Sequence, residues 1–179
     1  MLVSLIAAVS SDGYIARKGG GIPWSLPRDK AHFRSYTRGK WMLVGRRTYE
    51  EMTGWFGDRI PIVLSESEEK LNLPTSHLGA SSVAEAVSLA QSSGASELVV
   101  SGGAAVYEAA GTQIQLQILT RVDFEIGEGV AFPSLPGEWI RTYREDWPAD
   151  DENPYEASFE VLERSEDSGS CTARTGGPV

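Results

Sequence analysis

The chain is poor in the residues that build disulfides and metal sites. Its 179 residues include a single cysteine, Cys171, and two histidines, His32 and His77. One cysteine excludes an intrachain disulfide, and two isolated histidines without a cysteine cluster do not match zinc-site patterns. We therefore expect no bound metal. The lack of disulfides fits a reducing compartment, so we expect a cytoplasmic protein.

Long apolar runs are also missing. The most apolar stretch, residues 1–9, is only about half the length needed to cross a bilayer, and no Lys or Arg precedes it. These features argue against a signal peptide and against a membrane anchor. We interpret the stretch as a buried first strand and expect no membrane partner.

The chain has no overall excess of basic residues, and its formal net charge is −9. This charge argues against general nucleic-acid binding, because phosphate contacts require a basic surface. The charge is nevertheless uneven: residues 1–60 hold ten Lys and Arg against five Asp and Glu, whereas residues 61–179 hold six against twenty. The basic first third favours a small anionic ligand there, and chance patterning of the surface is the alternative.

The chain does contain alternating strand and helix patterns, in a length that fits one domain. The strand candidates are Val3–Val9, Trp41–Gly45, Ile60–Ser65, Leu98–Ser101, Ile114–Val122, Trp139–Trp147 and Tyr155–Leu162. The helix candidates are Pro27–Tyr36, Arg47–Met52, Val83–Gln91 and Ala104–Ala110. Such alternation predicts an α/β fold with a central, mostly parallel twisted sheet and helices on both faces. No helix separates the last two strands, so we expect an antiparallel edge there, followed by a disordered Ser/Gly/Thr-rich tail at 165–179.

A carboxylate interrupts the apolar face of the first predicted helix. Leu26, Asp29, Phe33 and Tyr36 are spaced by three, four and three residues, which places them on one side of a helix that starts at Pro27. A carboxylate that faces the interior is costly unless it is paired, and burial should raise its pKa. A flat ligand with two adjacent N–H donors, such as an aminopyrimidine ring, would satisfy it. The alternative is a structural role at the helix N-terminus.

Two strand–glycine–helix turns are typical of phosphate sites. In the first, Gly45 precedes Arg46-Arg47-Thr48, so arginines lie beside a helix start. A local role is the alternative, because Thr48 and Glu51 have the spacing of a capping box. In the second, the pair Gly102-Gly103 follows a strand and precedes a helix, which allows a pyrophosphate to approach the backbone closely.

The segment around Asp29 resembles the substrate-site motif of dihydrofolate reductases. It reads Pro23-Trp24-x-Leu-Pro-x-Asp29-x-x-x-Phe33. The stretches Gly45-Arg-x-Thr48 and Gly102-Gly103-x-x-Val-Tyr107 resemble the cofactor motifs of that family. The resemblance covers residues 1–164 and implies one catalytic domain with the dihydrofolate-reductase-like fold. It also implies NADPH-dependent reduction of 7,8-dihydrofolate to 5,6,7,8-tetrahydrofolate, by hydride transfer to pterin C6 with protonation at N5.

The resemblance assigns roles to individual residues as well. The implied catalytic residues are Asp29, Trp24, Tyr107 and Thr120. The implied substrate-binding residues are Ile6, Ala7, Ile22, Asp29, Lys30, Phe33, Met52, Arg59 and Thr120. The implied NADPH-binding residues are Ala8, Ile15, Gly45, Arg46, Arg47, Thr48, Leu64, Ser65, Ser101, Gly102, Gly103, Ala104, Ala105, Val106 and Tyr107. In the family the acid hydrogen-bonds the pterin, the arginine binds the α-carboxylate of the glutamate tail, and basic residues bind the 2′-phosphate.

Two other functions stay open at this point. Asp12-Gly13-x-Ile15-Ala16 resembles a stretch of riboflavin-pathway reductases, which act on a ribosylaminopyrimidine phosphate. A catalytically idle nucleotide-binding module is the third hypothesis, although it predicts loss of Asp29 or of Gly102-Gly103, and both are present. The leading interpretation is a monomeric enzyme whose partner is a small-molecule substrate. Comparing NADPH oxidation with dihydrofolate and with the pyrimidine separates the two reductases.

Overall fold

The computed structural model describes residues 1–66 and 72–165. The strands in these ranges are β1 (Leu2–Ser10), β2 (Tyr14–Arg17), β3 (Trp41–Gly45), β4 (Ile60–Leu64), β5 (Leu78–Ala80), β6 (Glu97–Val100), β7 (Leu116–Val122), β8 (Gly129–Ala131), β9 (Trp139–Trp147) and β10 (Ala157–Arg164). The helices are α1 (Pro27–Thr37), α2 (Arg46–Glu51), α3 (Val83–Ser92) and α4 (Ala104–Ala110). Apart from Ser165, the tail that the sequence predicts to be disordered lies outside the described residues.

Eight strands form one sheet in the order β5-β4-β3-β6-β1-β7-β10-β9, and β2 pairs with β8 in a separate ladder. Pairing is parallel from β5 to β7. It is antiparallel between β7 and β10 and between β10 and β9. The predicted mostly parallel sheet with an antiparallel edge is therefore confirmed. Parallel neighbours need crossover connections, and the helices lie in several of these.

Helices cover both faces of the sheet, as predicted. Neighbouring strand residues point to opposite faces, so Leu5 and Ile6 of β1 belong to different apolar clusters. Leu5 lies in the cluster that includes Val106 of α4 and buried residues of α3. Ile6 lies in the cluster against which Phe33 of α1 packs. Helix α1 is thus held on one face of the sheet, while α3 and α4 cover the other.

Three short strands were not predicted, namely β2, β5 and β8. Residues Tyr14 and Arg17 of β2 pair with Ala131 and Gly129 of β8, with an irregular register between them. Strands of three or four residues are too short to show an alternating pattern, so their partners define them rather than their own composition. The predicted bounds are confirmed for Trp41–Gly45 and Trp139–Trp147, and those of the other predicted strands differ from the structure by one or two residues.

The parallel strands end along one edge of the sheet, where the two glycine turns meet. The N–H of Gly45, the last residue of β3, donates to the carbonyl of Gly102 at 2.8 Å. The N–H of Ser101 donates to the carbonyl of Leu43 at 2.9 Å. In sheets of this type, ligands bind outside the carboxyl ends of the strands. The topology therefore places both predicted phosphate turns at the same edge.

Candidate active site

Asp29 lies in the first turn of α1 and faces β7. Its carboxylate accepts a hydrogen bond from the side chain of Thr120, a residue that is 3% exposed. Burial raises the pKa of Asp29, and the Thr120 hydrogen bond and the charges of His32 and Lys30 offset part of that rise. The N-cap position of α1 is Leu26, and no side chain of its own caps the helix there. The acid therefore faces inward, as its spacing predicts, rather than serving as the cap.

Helix α1 is anchored instead by a residue from the other end of the chain. The N–H of Arg28 donates to Oδ1 of the buried Asn153 at 2.9 Å. Asp150 holds Asn153 by accepting its backbone N–H at 2.7 Å and its side-chain N–H at 2.8 Å. The same carboxylate pairs with Arg28 at 2.6 Å. The loop between β9 and β10 thus fixes the start of the helix that carries Asp29.

Two ring nitrogen atoms at or near α1 are buried without a hydrogen-bond partner in the part of the chain that the structure describes. Nε1 of Trp24, a residue that is 5% exposed, and Nε2 of His32 have no hydrogen-bond partner among the described residues. A buried polar atom in this state fits contact with a bound water or a ligand atom. The catalytic role that the resemblance implies for Trp24 stays a prediction. Burial lowers the pKa of His32, and the charge of Asp29 opposes that shift.

Aromatic and apolar side chains line the next turn of α1. The ring of Phe33 meets that of Trp55 edge to face, with centroids 6.0 Å apart. Phe33 and Met52 both pack, partly buried, against the cluster that contains Phe56 and Met42. The structure therefore brings the predicted substrate residues Phe33 and Met52 to one apolar wall.

The middle of β1 contacts Tyr107, one of the predicted cofactor-binding residues. Oη of Tyr107 donates to the carbonyl of Ile6 at 2.8 Å, and burial raises the pKa of this phenol. Ala7 is buried and Ala8 is half-buried. Ala8 pairs with Thr120 across the β1–β7 ladder. This pairing places Ala8, a predicted cofactor-binding residue, next to Thr120, which hydrogen-bonds Asp29.

The second glycine turn has little room for a side chain at Gly102. The peptide bond between Gly102 and Gly103 is cis, and Gly102 has a φ of +104°. A Cβ on Gly102 would lie 3.0 Å from Oη of Tyr107, and one on Gly103 would lie 3.4 Å from Oγ1 of Thr48. A Cβ on Gly45, in the first turn, would lie 3.0 Å from Cγ2 of Val106. Both turns therefore present bare backbone, the surface that a pyrophosphate needs.

The first turn differs from the capping-box alternative. Helix α2 begins at Arg46, its N-cap is Gly45, and no side chain caps it. Thr48 is inside the helix, so the predicted pair of Thr48 and Glu51 does not cap this helix, and that alternative is wrong. Arg46 and Arg47 are exposed, and Arg46 lies 3.9 Å from a carboxylate oxygen of Glu50. The two arginines stand beside the turn, available to an anion.

The remaining predicted cofactor residues border the same edge. Leu64 and Ser65 are half-buried at the end of β4, where the N–H of Ser65 donates to the carbonyl of Ala80 at 3.0 Å. Ser101 is buried, and Ala104 and Ala105 open helix α4. These residues and the two glycine turns lie at or after the ends of the neighbouring strands β4, β3 and β6. Their common position is compatible with one extended ligand.

Arg59 is largely buried beside the C-terminal half of α1. Its side chain is 10% exposed, and Nε donates to Oγ1 of the buried Thr37 at 2.8 Å. A cavity of about 730 Å³ opens beside it and is also lined by Arg34, Arg38, Trp55 and Asp58. Arg59 is therefore a fixed cation in the lining of a basic cavity. Trp55, which also lines this cavity, contacts the ring of Phe33.

The loop after β1 is tied to the loop that precedes β8. The carboxylate of Asp12 accepts the N–H groups of Ile126 and Gly127 at 2.9 and 2.7 Å. The hydroxyl of Ser10 donates to the same carboxylate at 2.6 Å, and it contributes most to lowering the pKa of Asp12. Asp12 thus has a structural role in joining two loops. Its presence in the Asp-Gly-x-Ile-Ala stretch does not require a different substrate.

Two of three further predicted contact residues lie on the surface. Ile15 is half-buried against the main apolar cluster, whereas Ile22 is 58% exposed. Lys30 is exposed, and its Nζ lies 3.4 Å from Oγ of Ser25. The structure does not bring Ile22 or Lys30 into contact with the half-buried Asp29, so their roles stay predictions.

Sequence reasoning missed two residues that bear on the acid. His32 follows Asp29 by three positions, so helix periodicity contained a signal for its proximity. Asn153 carried no such signal, because it caps α1 from a distant loop. Residues 1–66 and 72–165 contain no cluster of His, Cys, Asp or Glu that could hold a metal ion. Over the same ranges, no helix is long and apolar enough to span a bilayer.

Comparison with known proteins agrees with the geometry. A sequence model described as dihydrofolate reductase matches residues 2–164. The chain is 33% identical over 167 residues to dihydrofolate reductase type 3 of Salmonella typhimurium, which covers 92% of this chain and 99% of that protein. It is 32% identical over 151 residues to dihydrofolate reductase HdrB of Haloferax volcanii, covering 79% and 76%.

Solved structures give the same answer for the fold. The fold is similar to that of dihydrofolate reductase from Enterococcus faecalis complexed with NADP(H) and RAB-propyl, with a TM-score of 0.81 and 24% sequence identity. The similarity covers 92% of this chain and 97% of that chain. The predicted architecture is thereby confirmed. The family model matches nearly the whole described chain, and the two relatives match over most of their length. The protein therefore belongs to the dihydrofolate reductase family.

Proposed function

We propose that the protein reduces 7,8-dihydrofolate to 5,6,7,8-tetrahydrofolate with NADPH. The observation that carries this proposal is the inward-facing carboxylate of Asp29, which is held by Thr120 at the edge of the sheet where two bare glycine turns meet. One acid beside an apolar wall suits a flat heterocycle with N–H donors. Adjacent bare backbone suits a dinucleotide.

Asp29 binds and orients the pterin in this proposal. Its two oxygens receive the adjacent N–H groups of the aminopyrimidine edge, which compensates the carboxylate for its desolvation. Its raised pKa keeps a proton available closer to neutral pH, where it supports protonation of N5. The hydroxyl of Thr120 fixes the rotamer of the acid, and Trp24 orients the water through which the proton moves. Phe33 and Met52 exclude bulk solvent from the other side.

The residues at the two glycine turns fit NADPH. The bound cofactor supplies the hydride that is delivered to pterin C6. Gly45 and Gly102-Gly103 offer backbone to its pyrophosphate, because a Cβ at either turn would meet a neighbouring side chain. Arg46 and Arg47 supply positive charge for the 2′-phosphate. Tyr107 and Ala8 line the nicotinamide position, and the small side chain of the alanine lets the ring approach β1.

Arg59 receives the α-carboxylate of the glutamate tail. The guanidinium is fixed by Thr37, so little conformational freedom is lost when the anion binds. We further propose that residues 1–164 form a single catalytic domain. The enzyme acts as a monomer on a small-molecule substrate in the cytoplasm, and light scattering in solution tests the monomeric state.

The decisive experiment follows the loss of NADPH absorbance in the presence of dihydrofolate. We expect saturable turnover with dihydrofolate and none above background with a ribosylaminopyrimidine phosphate. Turnover of the pyrimidine alone would replace the proposal with the riboflavin-pathway reaction. Tight NADPH binding with no turnover of any pterin would support the idle-module hypothesis instead.

A further inference from the structure

The basic cavity beside α1 contains one acid among three arginines. Arg34, Arg38 and Arg59 line it together with Asp58. Under the proposed function, on which this inference rests, Arg59 receives the carboxylate of the substrate tail. Asp58 stands next to that position and carries the same charge as the ligand.

Protein groups already accept most of the N–H donors of Arg59. Nε donates to Oγ1 of Thr37 at 2.8 Å, and Nη2 donates to the carbonyl of Arg34 at 2.7 Å. Nη1 donates to the carbonyl of Trp55 at 3.1 Å and to Oδ1 of Asp58 at 3.0 Å. Because a guanidinium has five N–H donors, Nη2 keeps one donor that no described residue accepts.

A carboxylate binds a guanidinium most strongly through two parallel N–H donors. Nε is committed to the buried Thr37, so a ligand must use the end-on pair, with one donor from Nη1 and one from Nη2. The acceptors of Nη1 are the carbonyl of Trp55 and Oδ1 of Asp58, and Asp58 is the only side chain of the two. A tail carboxylate that uses Nη1 therefore competes with Asp58 for this nitrogen.

The other partners of Arg59 are fixed, whereas Asp58 has room to move. The side chain of Asp58 is 51% exposed, and its second oxygen lies 3.6 Å from Nε of Arg38 on the cavity wall. We propose that Asp58 competes internally for Arg59 and thereby sets the affinity of the enzyme for substrates that carry a tail carboxylate. When the tail binds, Asp58 releases Nη1 and turns towards Arg38.

The test replaces Asp58 with Asn, which removes the charge and keeps the size of the side chain. The KM for dihydrofolate should fall about three- to tenfold, in the range expected for releasing an exposed ion pair that opposes a ligand of like charge. The KM for 7,8-dihydrobiopterin, a dihydropterin without a glutamate tail, should change less than about twofold. Asp58→Glu keeps the charge and should keep a KM for dihydrofolate close to that of the unaltered enzyme.

A matched control is Glu108→Gln, which removes an exposed carboxylate from α4 on the opposite face of the sheet. It makes the same change in net charge and should leave both KM values unaltered. An unchanged or higher KM for dihydrofolate in Asp58→Asn overturns the proposal, because the acid would then be positioning Arg59 rather than competing for it. An equal fall for both substrates overturns it as well, because the effect would not depend on the tail.

The failure of this inference is separable from failure of the proposed function. If the unaltered enzyme does not turn over dihydrofolate, the proposed function fails, and the rates show this before any variant is made. Folate binding, followed by quenching of tryptophan fluorescence, gives the comparison without catalysis. Tighter folate binding by Asp58→Asn than by the unaltered protein supports the inference, and equal binding overturns it.

Discussion

Asp29→Asn is the residue-scale change with the largest expected effect on catalysis. It keeps the shape of the side chain and removes the proton-binding group, so turnover of dihydrofolate at neutral pH should fall by about 100-fold or more. The dissociation constant for NADPH, measured by fluorescence titration, should stay within about twofold because the glycine turns are untouched. The control is Asp151→Asn, an exposed acid in the loop before β10. Near-normal turnover in the Asp29 variant would contradict the assigned role.

Gly102→Ala tests the second glycine turn. The new Cβ would lie 3.0 Å from Oη of Tyr107, at a residue whose φ is +104°. We expect the dissociation constant for NADPH to rise at least about tenfold and the free energy of unfolding to fall by about 1–3 kcal/mol. Gly94→Ala is the matched control, because Gly94 has a φ of +78° and no atom within 4 Å of the added Cβ. Equal NADPH affinities in the two variants would show that the turn does not contact the cofactor.

The sequence was most informative about residues whose neighbours lie on the same element. Asp29 and Phe33 share a helix face, so spacing alone predicted that the acid faces inward. The state of Arg59 was not predictable, since its partners include Thr37 and the carbonyl of Arg34, which come from a helix distant in sequence. Contacts of this kind depend on how elements pack against each other, and no periodic pattern in the sequence predicts them.

At the scale of elements, the position of α1 depends on a cap that the helix does not supply itself. Asn153→Ala removes the acceptor for the N–H of the half-buried Arg28 and leaves that donor without its partner. We expect the free energy of unfolding to fall by about 1–2 kcal/mol, as for the loss of an N-cap. Urea unfolding followed by circular dichroism measures this change.

The neighbouring residue provides the control for that variant. Glu152 is exposed, and its backbone N–H, rather than its side chain, donates to Asp150 at 3.0 Å. Glu152→Ala should therefore leave the urea midpoint unchanged within error. Equal midpoints for the Asn153 and Glu152 variants would mean that the cap contributes nothing to stability.

Elements with their own pattern were predictable, and elements defined by a partner were not. Helix α1 starts at Pro27, as the sequence predicts, because the ring of proline suits the first helical turn. The antiparallel pair β9 and β10 followed from the absence of a helix between them. Strands β2 and β8 exist because they pair with each other, and Gly129–Ala131 has no strand pattern of its own.

At the scale of the whole molecule, two half-buried carboxylates act on stability with opposite signs. Burial alone would raise the pKa of Glu97, but hydrogen bonds from Lys40, Ser4 and Tyr36 lower it below its usual value of 4.5. A lowered pKa in the folded state gives stability that is present above about pH 4.5 and is lost as the pH falls further. The raised pKa of Asp29 has the reverse effect, so ionising this acid weakens the fold.

The stability of Asp29→Asn should therefore depend on pH. Below the ordinary pKa of an aspartate, 3.8, Asp29 is protonated in both states and costs nothing. As the pH rises through its raised folded-state pKa, the unaltered protein loses stability that the variant keeps. Urea unfolding across the acid-to-neutral range should show the variant to be more stable at neutral pH, with an advantage that shrinks towards about pH 4. A constant difference across that range would contradict the raised pKa.

The place of β1 in the sheet has a consequence for biosynthesis. This strand is translated before β6 and β7, yet Leu2 pairs with Glu97 and Ser4 pairs with Leu116. A ribosome that has delivered only the first half of the polypeptide therefore exposes an apolar strand with neither edge satisfied. Native pairing of β1 must wait for β6 and β7 to emerge from the exit tunnel, so the centre of the sheet cannot form until β7 has been translated.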